Sequence, residues 1–398
     1  MRILHTSDWH VGRRFCDHDV LDHLALVLDE IVEVVRTESV DVVLIAGDVF
    51  DRASPPPEAF RFLDDYLDRI REAGAQIVLI SGNHDGASRL SFMSRAAARY
   101  GIHVRTVAES IGEPVILHDP HGPVHFYGIP YLDPNLDRNR LGDDQLRTHE
   151  LILDAAMDRI RSDIAGRGSN ARAVVLAHCF AINAGRRARL PAAADTAAAV
   201  TGSMRSIAVG GVEVTPSAVF DGVSYVALGH LHTKQSVTPT IRYSGAPLAY
   251  SFTDDRGVRG FWLVDLDGDG TIDTQWRELP VPRQMSILTG TLSDLLTDPA
   301  YESARVHWVS AVLTDPIRPL DAMRRLRERF AYCAQLEHRP PRALEDTSLS
   351  YRERVRGKPD EQVTLDFIEH VRAVAGTGAE RALVAAAFED IRRDEAAE

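Results

Sequence analysis

The chain carries at residues 42–51 the run VVLIAGDVFD, in which five apolar residues are followed at once by a glycine and two acidic side chains. A short apolar run that ends in a turn signal is typical of a strand buried on both faces. Gly47 permits a tight turn at this point, and Asp48 and Asp51 then follow the carboxyl end of the strand. The run therefore predicts a buried strand that brings carboxylates to one edge of a sheet.

The same arrangement recurs four times elsewhere in the chain. Short apolar runs also precede Asp8-Trp9-His10, Gly82-Asn83-His84-Asp85, His178 and Gly229-His230-Leu231-His232. Side chains at successive strand ends converge on one sheet edge, and oxygen and imidazole donors suit Mn, Fe or Zn. The candidate ligands outnumber the needs of a single catalytic ion, which indicates a two-metal centre; they are Asp8, His10, Asp48, Asn83, His178, His230 and His232.

Strand-like runs alternate with helical periods over the first two-thirds of the chain. Residues 19–37 and 58–73 place apolar side chains at helical spacing between the runs that precede the motifs. From about residue 219 the sequence becomes rich in short strand-like segments separated by turn residues. These patterns predict an α/β fold in which layered sheets are flanked by helices.

The last third of the chain has a different texture. We expect a boundary at Pro280-Val281-Pro282, so that residues 1–279 form the domain with the motifs and residues 280–338 a small α+β domain. Residues 339–360 have no sustained apolar period and are predicted to be a linker. Residues 361–398 carry two amphipathic helical patterns, which either bind a partner or fold back onto the core.

Composition narrows the class of protein further. The chain has 398 residues, of which 44% are hydrophobic, and no apolar stretch of membrane-spanning length or of signal-peptide type. Three scattered cysteines fit a reducing compartment, so we expect a cytoplasmic protein without membrane association. The net charge of −13 argues against broad, non-specific adhesion to nucleic acid but leaves room for a local basic patch.

The order of the five motifs resembles that of the calcineurin-like metallophosphoesterases. The segments at residues 47–51, 82–85, 227–232 and 243–247 are more specifically similar to the SbcD family, the nuclease subunits of bacterial ATPase–nuclease complexes. The resemblance covers essentially the whole chain, as a metallophosphoesterase domain, a capping domain and a helical partner-binding tail. It implies a layered sandwich of sheets flanked by helices for residues 1–279.

The resemblance also implies roles for individual residues. Two divalent ions, Mn in most family members, would each take four ligands: Asp8, His10, Asp48 and His232 for the first ion, and Asp48, Asn83, His178 and His230 for the second. It implies that His84 sits over the scissile phosphate as a catalytic residue and that Asp51 orients His84. A carboxylate in that position also raises the basicity of an imidazole.

The function implied by the resemblance is that of an Mn-dependent DNA exonuclease and endonuclease in DNA repair and recombination. Its partners would be DNA and an SbcC-like coiled-coil ATPase, with a homodimer of this chain inside a heterotetramer. The sequence has no Gly-x-x-x-x-Gly-Lys-Ser/Thr motif of its own, so ATP hydrolysis would belong to the partner. The alternatives are a metallophosphoesterase acting on cyclic nucleotides or phosphoproteins, and a scaffold with a vestigial metal site.

Basic side chains near the motifs are candidates for contacts with DNA phosphates. Singly, each is more often a solvated surface charge, but together they would supply the positive charge that the whole chain lacks. The candidates are Arg13, Arg14, Arg52, Arg89, Arg186 and Arg187.

Overall fold

The structure of the chain is a computed structural model, and it describes residues 1–168, 171–183, 214–252, 258–340, 355, 357–372 and 374–395. The chain divides into two compact units, Met1–Arg283 and Gln284–Glu398. The four segments delimited from the sequence stay a prediction, and most of the predicted linker at 339–360 lies outside the described residues.

Six strands form the first sheet of the larger unit. In spatial order they are β16 (Ile272–Glu278), β15 (Gly260–Leu266), β1 (Arg2–Thr6), β4 (Val42–Ala46), β5 (Gln76–Ile80) and β6 (Ile102–Arg105). Strands β1, β4, β5 and β6 run parallel, whereas β15 pairs antiparallel with both β1 and β16. The carboxyl ends of β1, β4 and β5 therefore lie at one edge.

Six further strands form the second sheet. In spatial order they are β13 (Gln235–Ser236), β14 (Ile241–Tyr243), β12 (Tyr225–Gly229), β9 (Arg172–His178), β8 (Gly122–Ile129) and β7 (Val115–Asp119). Strands β8, β9, β12 and β14 are parallel to one another. The β-rich segment predicted from about residue 219 is thus shared between two sheets, because β12 to β14 join the second and β15 and β16 the first.

Helices cover the outer faces of the two sheets. The longer ones in this unit are α1 (Leu21–Thr37), α2 (Pro57–Glu72) and α6 (His149–Ala165), and the short ones are α3 (Ala87–Leu90), α4 (Ser94–Arg99) and α5 (Pro134–Asp137). Helix α1 packs against α2, which contacts β5, and α6 shares a core with β8, β9 and β12. Two small pairings, β2 (Arg14–Phe15) with β3 (His18–Asp19) and β10 (Ala181–Ile182) with β11 (Thr215–Pro216), complete the unit.

The two sheets face each other across a continuous apolar core. Ile3, Val42 and Leu44 from the first sheet share one buried cluster with Val174 and Leu176 from the second. Because successive side chains of a strand point to opposite faces, strands buried on both sides need the unbroken apolar runs seen in the sequence. The predicted α/β fold of layered sheets flanked by helices is confirmed.

The smaller unit is built on a parallel three-stranded sheet. Its strands are β17 (Met285–Gly290), β18 (Trp308–Leu313) and β19 (Cys333–His338), and its helices are α7 (Leu292–Thr297), α8 (Ala322–Arg329), α9 (Asp360–Arg372) and α10 (Gly378–Glu395). The sequence did not predict β17, and a 3₁₀ helix, Pro299–Val306, comes before β18. In the part of the chain that the structure describes, no helix is long and apolar enough to cross a membrane.

Candidate metal centre

The structure brings the seven candidate ligands together at the carboxyl ends of five parallel strands. The first sheet contributes the residues that follow β1, β4 and β5, and the second sheet those that end β9 or follow β12. Each set of four ligands implied by the sequence combines residues of both sheets. The cluster forms where the two packed sheets meet, and not along the edge of one sheet alone.

The ligand atoms of the first set lie as close together as atoms that share one metal ion. His10 Nε2 is 3.1 Å from His232 Nε2 and 3.7 Å from Asp48 Oδ2. Donor atoms of Asp8, His10 and His232 all lie within 4.8 Å of one another. Two ligands at right angles, each about 2.1 Å from a small divalent ion, are about 3 Å apart, so the spacing suits such an ion.

The second set has the same spacing. Asn83 Oδ1 lies 3.1 Å from both His178 Nε2 and His230 Nδ1. His178 Nε2 is also 3.4 Å from Asp48 Oδ2. Asn83, His178 and His230 therefore lie together, and His178 links them to Asp48, as a second set of candidate ligands.

Asp48 stands between the two sets. Its Oδ2 atom faces His178 of one set and His10 of the other, at 3.4 and 3.7 Å. Its Oδ1 atom instead accepts the main-chain N–H of His84 at 2.9 Å. Asp48 would thus contribute to both sets of ligands, while its Oδ1 atom fixes the loop that carries His84.

Four of the candidate ligands have a left-handed backbone conformation. The φ angles are 54° at Asp8, 45° at His10, 47° at Asp48 and 100° at His230. Side chains other than glycine rarely adopt this region, and holding one there costs about 1 kcal/mol or more. Hydrogen bonds maintain it: Asp8 N donates to the Gly47 carbonyl at 3.0 Å, and His230 N donates to Asp8 Oδ1 at 3.1 Å. Such strain is concentrated at functional sites.

Two glycines of the motifs make room for His178. A Cβ atom on Gly47 would overlap the His178 ring, and the φ of Gly47 is +87°. A Cβ atom on Gly229 would overlap the main-chain carbonyl of Ala46. The motif glycines are therefore required by the close approach of the strand ends around one imidazole.

Main-chain carbonyls fix the tautomers of two histidines. His178 Nδ1 lies 2.9 Å from the Ala46 carbonyl, and His84 Nδ1 lies 2.9 Å from the Asp51 carbonyl. A carbonyl oxygen can only accept, so each Nδ1 carries a proton and donates it. This leaves Nε2 of His178 for an ion and Nε2 of His84 for another partner.

Asp51 contacts His84 in a different way from that implied by the sequence. The orienting group is the main-chain carbonyl of Asp51 and not its carboxylate. The carboxylate points elsewhere, because Oδ1 lies 3.6 Å from His10 Nδ1 and 3.4 Å from the Arg13 guanidinium. Asp51 thus lies beside a ligand of the first set with its side chain and orients the catalytic candidate with its backbone.

The electrostatics of the cluster call for positive charge. Burial, together with the nearby Asp48 carboxylate, raises the pKa of Asp8. Although burial opposes it, the attraction of His178 holds the pKa of Asp48 well below its usual range, and Asp48 in turn raises the pKa of His178 to about 9. Burial lowers the pKa of His230 to about 3, which favours the neutral, metal-binding imidazole. Asp8 and Asp48 thus place two buried carboxylates beside the imidazoles of the cluster, a donor set that suits divalent cations.

One side of the cluster is buried in the protein and the other side is accessible to solvent. Asp8, His10, Asp48 and His178 are at most 2% exposed. Asn83 is exposed, and His84, His230 and His232 are partly exposed. A substrate would therefore reach the ions from the side of Asn83 and His84.

Asp85 belongs to the Gly82-Asn83-His84-Asp85 motif, but no role for it could be predicted from the sequence. Its carboxylate accepts main-chain N–H groups from Val49 at 3.0 Å, Phe50 at 2.8 Å and Gly82 at 2.9 Å. Asp85 thus ties the loop after β4 to the loop after β5, which carry Asp48 and Asn83. An aspartate inside a tight glycine-containing turn is a frequent acceptor for main-chain N–H groups, and this was the available signal.

The arginine candidates occupy different positions. Arg13 lies beside Asp51 and stacks over the Tyr250 ring at 4.9 Å, and Arg52 is 3.7 Å from Asp51 Oδ2. The other two described candidates bond to main-chain carbonyls, Arg14 to that of Asp17 and Arg89 to that of Ala53. Arg186 and Arg187 lie outside the described residues.

Comparison with known proteins places the chain in a family. The model of the family described as calcineurin-like phosphoesterase matches residues 1–234. Among solved structures, GAP50, the anchor in the inner membrane complex of Plasmodium, is 11% identical, with 86% of this chain and 99% of that chain covered and a TM-score of 0.40. A β-glucosidase from Exiguobacterium marinum is 10% identical, with 85% and 89% covered and a TM-score of 0.21. Neither likeness bears on the activity.

The family match and the geometry agree. Enzymes of this family use divalent metal ions, and the described donors have the identity, spacing and charge that such ions need. With more than half of its length matched, the chain belongs to the calcineurin-like phosphoesterases, which hydrolyse phosphoesters with the help of metal ions.

Proposed function

We propose that this phosphoesterase is an Mn-dependent DNA nuclease of the SbcD type, with exonuclease and endonuclease activity in DNA repair and recombination. The observation that carries the proposal is the cluster of seven donors with His84 beside it and with Arg13 and Arg52 near the adjacent Asp51. The similarity of the sequence motifs to the SbcD family supports DNA as the substrate.

The centre supports hydrolysis of a phosphodiester. When bound, the two ions would activate a water molecule and neutralise the charge that develops on the phosphate. The first would be held by Asp8, His10, Asp48 and His232, and the second by Asp48, Asn83, His178 and His230.

His84 has the geometry of a proton donor. Its Nδ1 proton is committed to the Asp51 carbonyl, so only Nε2 can face a substrate. Its ring lies 4.8 Å from that of His10, at a right angle, which places it beside the first set of ligands. From there the protonated ring would stabilise the phosphate or give a proton to the departing 3′ oxygen of the sugar.

Arg13 and Arg52 support a polyanionic substrate. Because the whole chain has a net charge of −13, contacts with DNA phosphates must come from local positive charge. Arg13 is held in place by the Asp51 carboxylate and the Tyr250 ring, and it retains 26% side-chain exposure. Arg52 is 60% exposed and would contact phosphates further along the strand.

The helical tail supports a protein partner. Helices α9 and α10 expose large apolar side chains, among them Phe367 at 56%, Val371 at 62% and Leu383 at 72%. We propose that they bind an SbcC-like coiled-coil ATPase, in a cytoplasmic complex that contains a homodimer of this chain. The partner and the dimer rest on the sequence resemblance.

The substrate is tested by comparing phosphoesters with Mn present. Linear duplex DNA and bis-p-nitrophenyl phosphate should both be cleaved, and replacement of Arg13 or Arg52 by Ala should lower DNA cleavage more than cleavage of the small diester. Arg36→Ala is the matched control, because Arg36 lies on α1 and pairs with Glu33 at the surface. Hydrolysis of a cyclic nucleotide or a phosphopeptide, with none of DNA, would favour the alternative function.

The partner is tested with point variants of the full chain. Phe367→Glu and Leu383→Glu change exposed side chains of α9 and α10, so the fold should persist. Both should reduce co-purification with the coiled-coil ATPase, whereas Leu26→Glu, which changes an exposed residue of α1, should not. Undiminished co-purification of both tail variants would refute the docking assignment.

A further inference from the structure

Tyr250 lies directly behind the first set of ligands. It is only 6% exposed, and its ring centroid is 5.5 Å from that of His10 and 6.2 Å from that of His232. Both contacts are edge-to-face, an arrangement that favours one orientation of each imidazole. Tyr131 has the corresponding position at the second set, since its ring centroid lies 6.4 Å from those of His178 and His230.

The phenol of Tyr250 anchors a strained turn. Its hydroxyl donates to the main-chain carbonyl of Trp9 at 2.5 Å. Trp9 stands between Asp8 and His10, both of which have left-handed φ angles. The bond thus fixes the peptide that joins Trp9 to His10, in a turn that would otherwise relax toward more favourable backbone angles and swing both side chains away.

The segment that carries Tyr250 has two further links to the same set. Ser244 Oγ is 2.8 Å from Ser7 Oγ, and Ser7 Oγ donates to the Asp8 carboxylate. The main-chain N–H of Ala246 donates to the carbonyl of His232 at 3.2 Å. Residues 244–250 therefore contact or support each ligand of the first set apart from Asp48.

We infer that Tyr250 is a positioning residue for the first metal ion, acting through the ring orientation of His10 and His232 and through the turn at Trp9. The inference rests on the division of ligands between two ions in the proposed function. The hydroxyl of Tyr250 is bonded to the Trp9 carbonyl, so Tyr250 would act on the ion only through the groups it holds. Loss of Tyr250 should therefore lower the affinity for the first ion more than the affinity for the second.

Mn binding to the full chain tests this inference without an activity assay. Titration followed by electron paramagnetic resonance should show two tight sites in the wild type. Tyr250→Phe keeps the ring and loses the bond to Trp9, and Tyr250→Leu loses both. Each should weaken one site by about tenfold or more, the effect typical of removing a group that orients a ligand.

Single-site backgrounds identify which ion is affected. The variant His178→Ala should retain only the site for the first ion, and Asp8→Asn should retain only the site for the second. Tyr250→Phe should lower Mn affinity about tenfold in the first background and less than twofold in the second. Tyr131→Leu is the matched control and should show the reverse pattern. If either background variant binds no Mn, the titration of Tyr250→Phe without a second substitution decides. Loss of one of its two tight sites then supports the inference.

Two results would overturn the assignment. One is unchanged Mn affinity at both sites in Tyr250→Phe and Tyr250→Leu. The other is equal weakening of both sites by Tyr250→Phe, which would indicate a general structural role. If Tyr250→Leu fails to fold, Tyr250→Phe alone decides, because it preserves the packing of the ring. Failure of the wild type to cleave DNA would refute the nuclease proposal and leave the Mn titration valid.

Discussion

Replacing Asp85 by Ala should destabilise the larger unit and loosen the metal centre together. The carboxylate of Asp85 accepts the N–H groups of Val49, Phe50 and Gly82, at 2.8–3.0 Å. Val49 is fully buried and Phe50 is 2% exposed, so alanine would leave their N–H groups without an acceptor. The loops that carry Asp48 and Asn83 would then no longer be tied together.

The size of the effect follows from these three bonds. A hydrogen bond to a charged acceptor contributes about 1.5–3 kcal/mol, which gives about 6 kcal/mol for three. Part of this is offset, because burial and the neighbouring Asp48 carboxylate raise the pKa of Asp85 to about 6 and so disfavour its ionised form. We expect a net loss of about 3 kcal/mol in the free energy of unfolding for Asp85→Ala. Asp85→Asn, which keeps one acceptor oxygen, should lose about 2 kcal/mol.

Urea unfolding followed by tryptophan fluorescence measures this loss. Three of the four tryptophans lie in the larger unit, so its transition dominates the signal. Asp65→Ala on α2 is the control, because Asp65 is 64% exposed and its contact with Arg69 is long, at 3.8 Å; we expect a change of at most about 0.5 kcal/mol. Mn titration of Asp85→Ala should show weaker binding. The reasoning would be refuted by an unfolding free energy within about 1 kcal/mol of the wild type.

Three further changes have definite expected outcomes. Gly229→Ala places a Cβ atom against the Ala46 carbonyl and should cost about 2 kcal/mol in urea unfolding; an unchanged unfolding midpoint would contradict the overlap. A hydrogen bond from Arg172 at 2.7 Å holds the pKa of Asp119 below its usual range, so this pair stabilises the fold above about pH 4 and loses its effect as the pH falls. Between pH 6 and pH 3 the midpoint temperature of thermal unfolding should therefore fall more steeply in the wild type than in Asp119→Asn. Equal dependence of the two midpoints on pH would exclude the pair as the cause. His84→Gln should bind two Mn ions but hydrolyse bis-p-nitrophenyl phosphate about 10²- to 10⁴-fold more slowly, and full turnover would remove His84 from the mechanism.

The fold class and the convergence of the donor residues could both be predicted from the sequence. Five apolar runs predicted five buried strands, and parallel strands present their carboxyl ends at the same side, so the residues after them had to meet. That metal ions bind to these residues stays a prediction. The division of the strands between two sheets could not be seen in the motifs, because each motif records only its own strand and not the neighbour with which that strand pairs.

The contacts that could not be predicted from the sequence share one physical cause, and β17 was missed for a different one. Asp51 contacts His84 through a main-chain carbonyl, and every residue has such a carbonyl, so residue type carries no signal for this contact. Asp85 and Tyr250 act on main-chain groups of distant residues for the same reason. Strand β17, with the sequence MSILTG, is too short and too mixed in polarity to stand out from a loop.

The distribution of ligands over the two sheets has a consequence for the lifetime of the protein. Each ion would cross-link the sheets, since Asp8, His10 and Asp48 come from one and His232 from the other. The last of these residues is more than 200 positions from the first, so the ions cannot bind until both sheets have come together. A ligand that binds only the folded state at 1,000 times its Kd adds about 4 kcal/mol of stability. The metal supply of the cell would then set how long the folded chain persists as well as how fast it works.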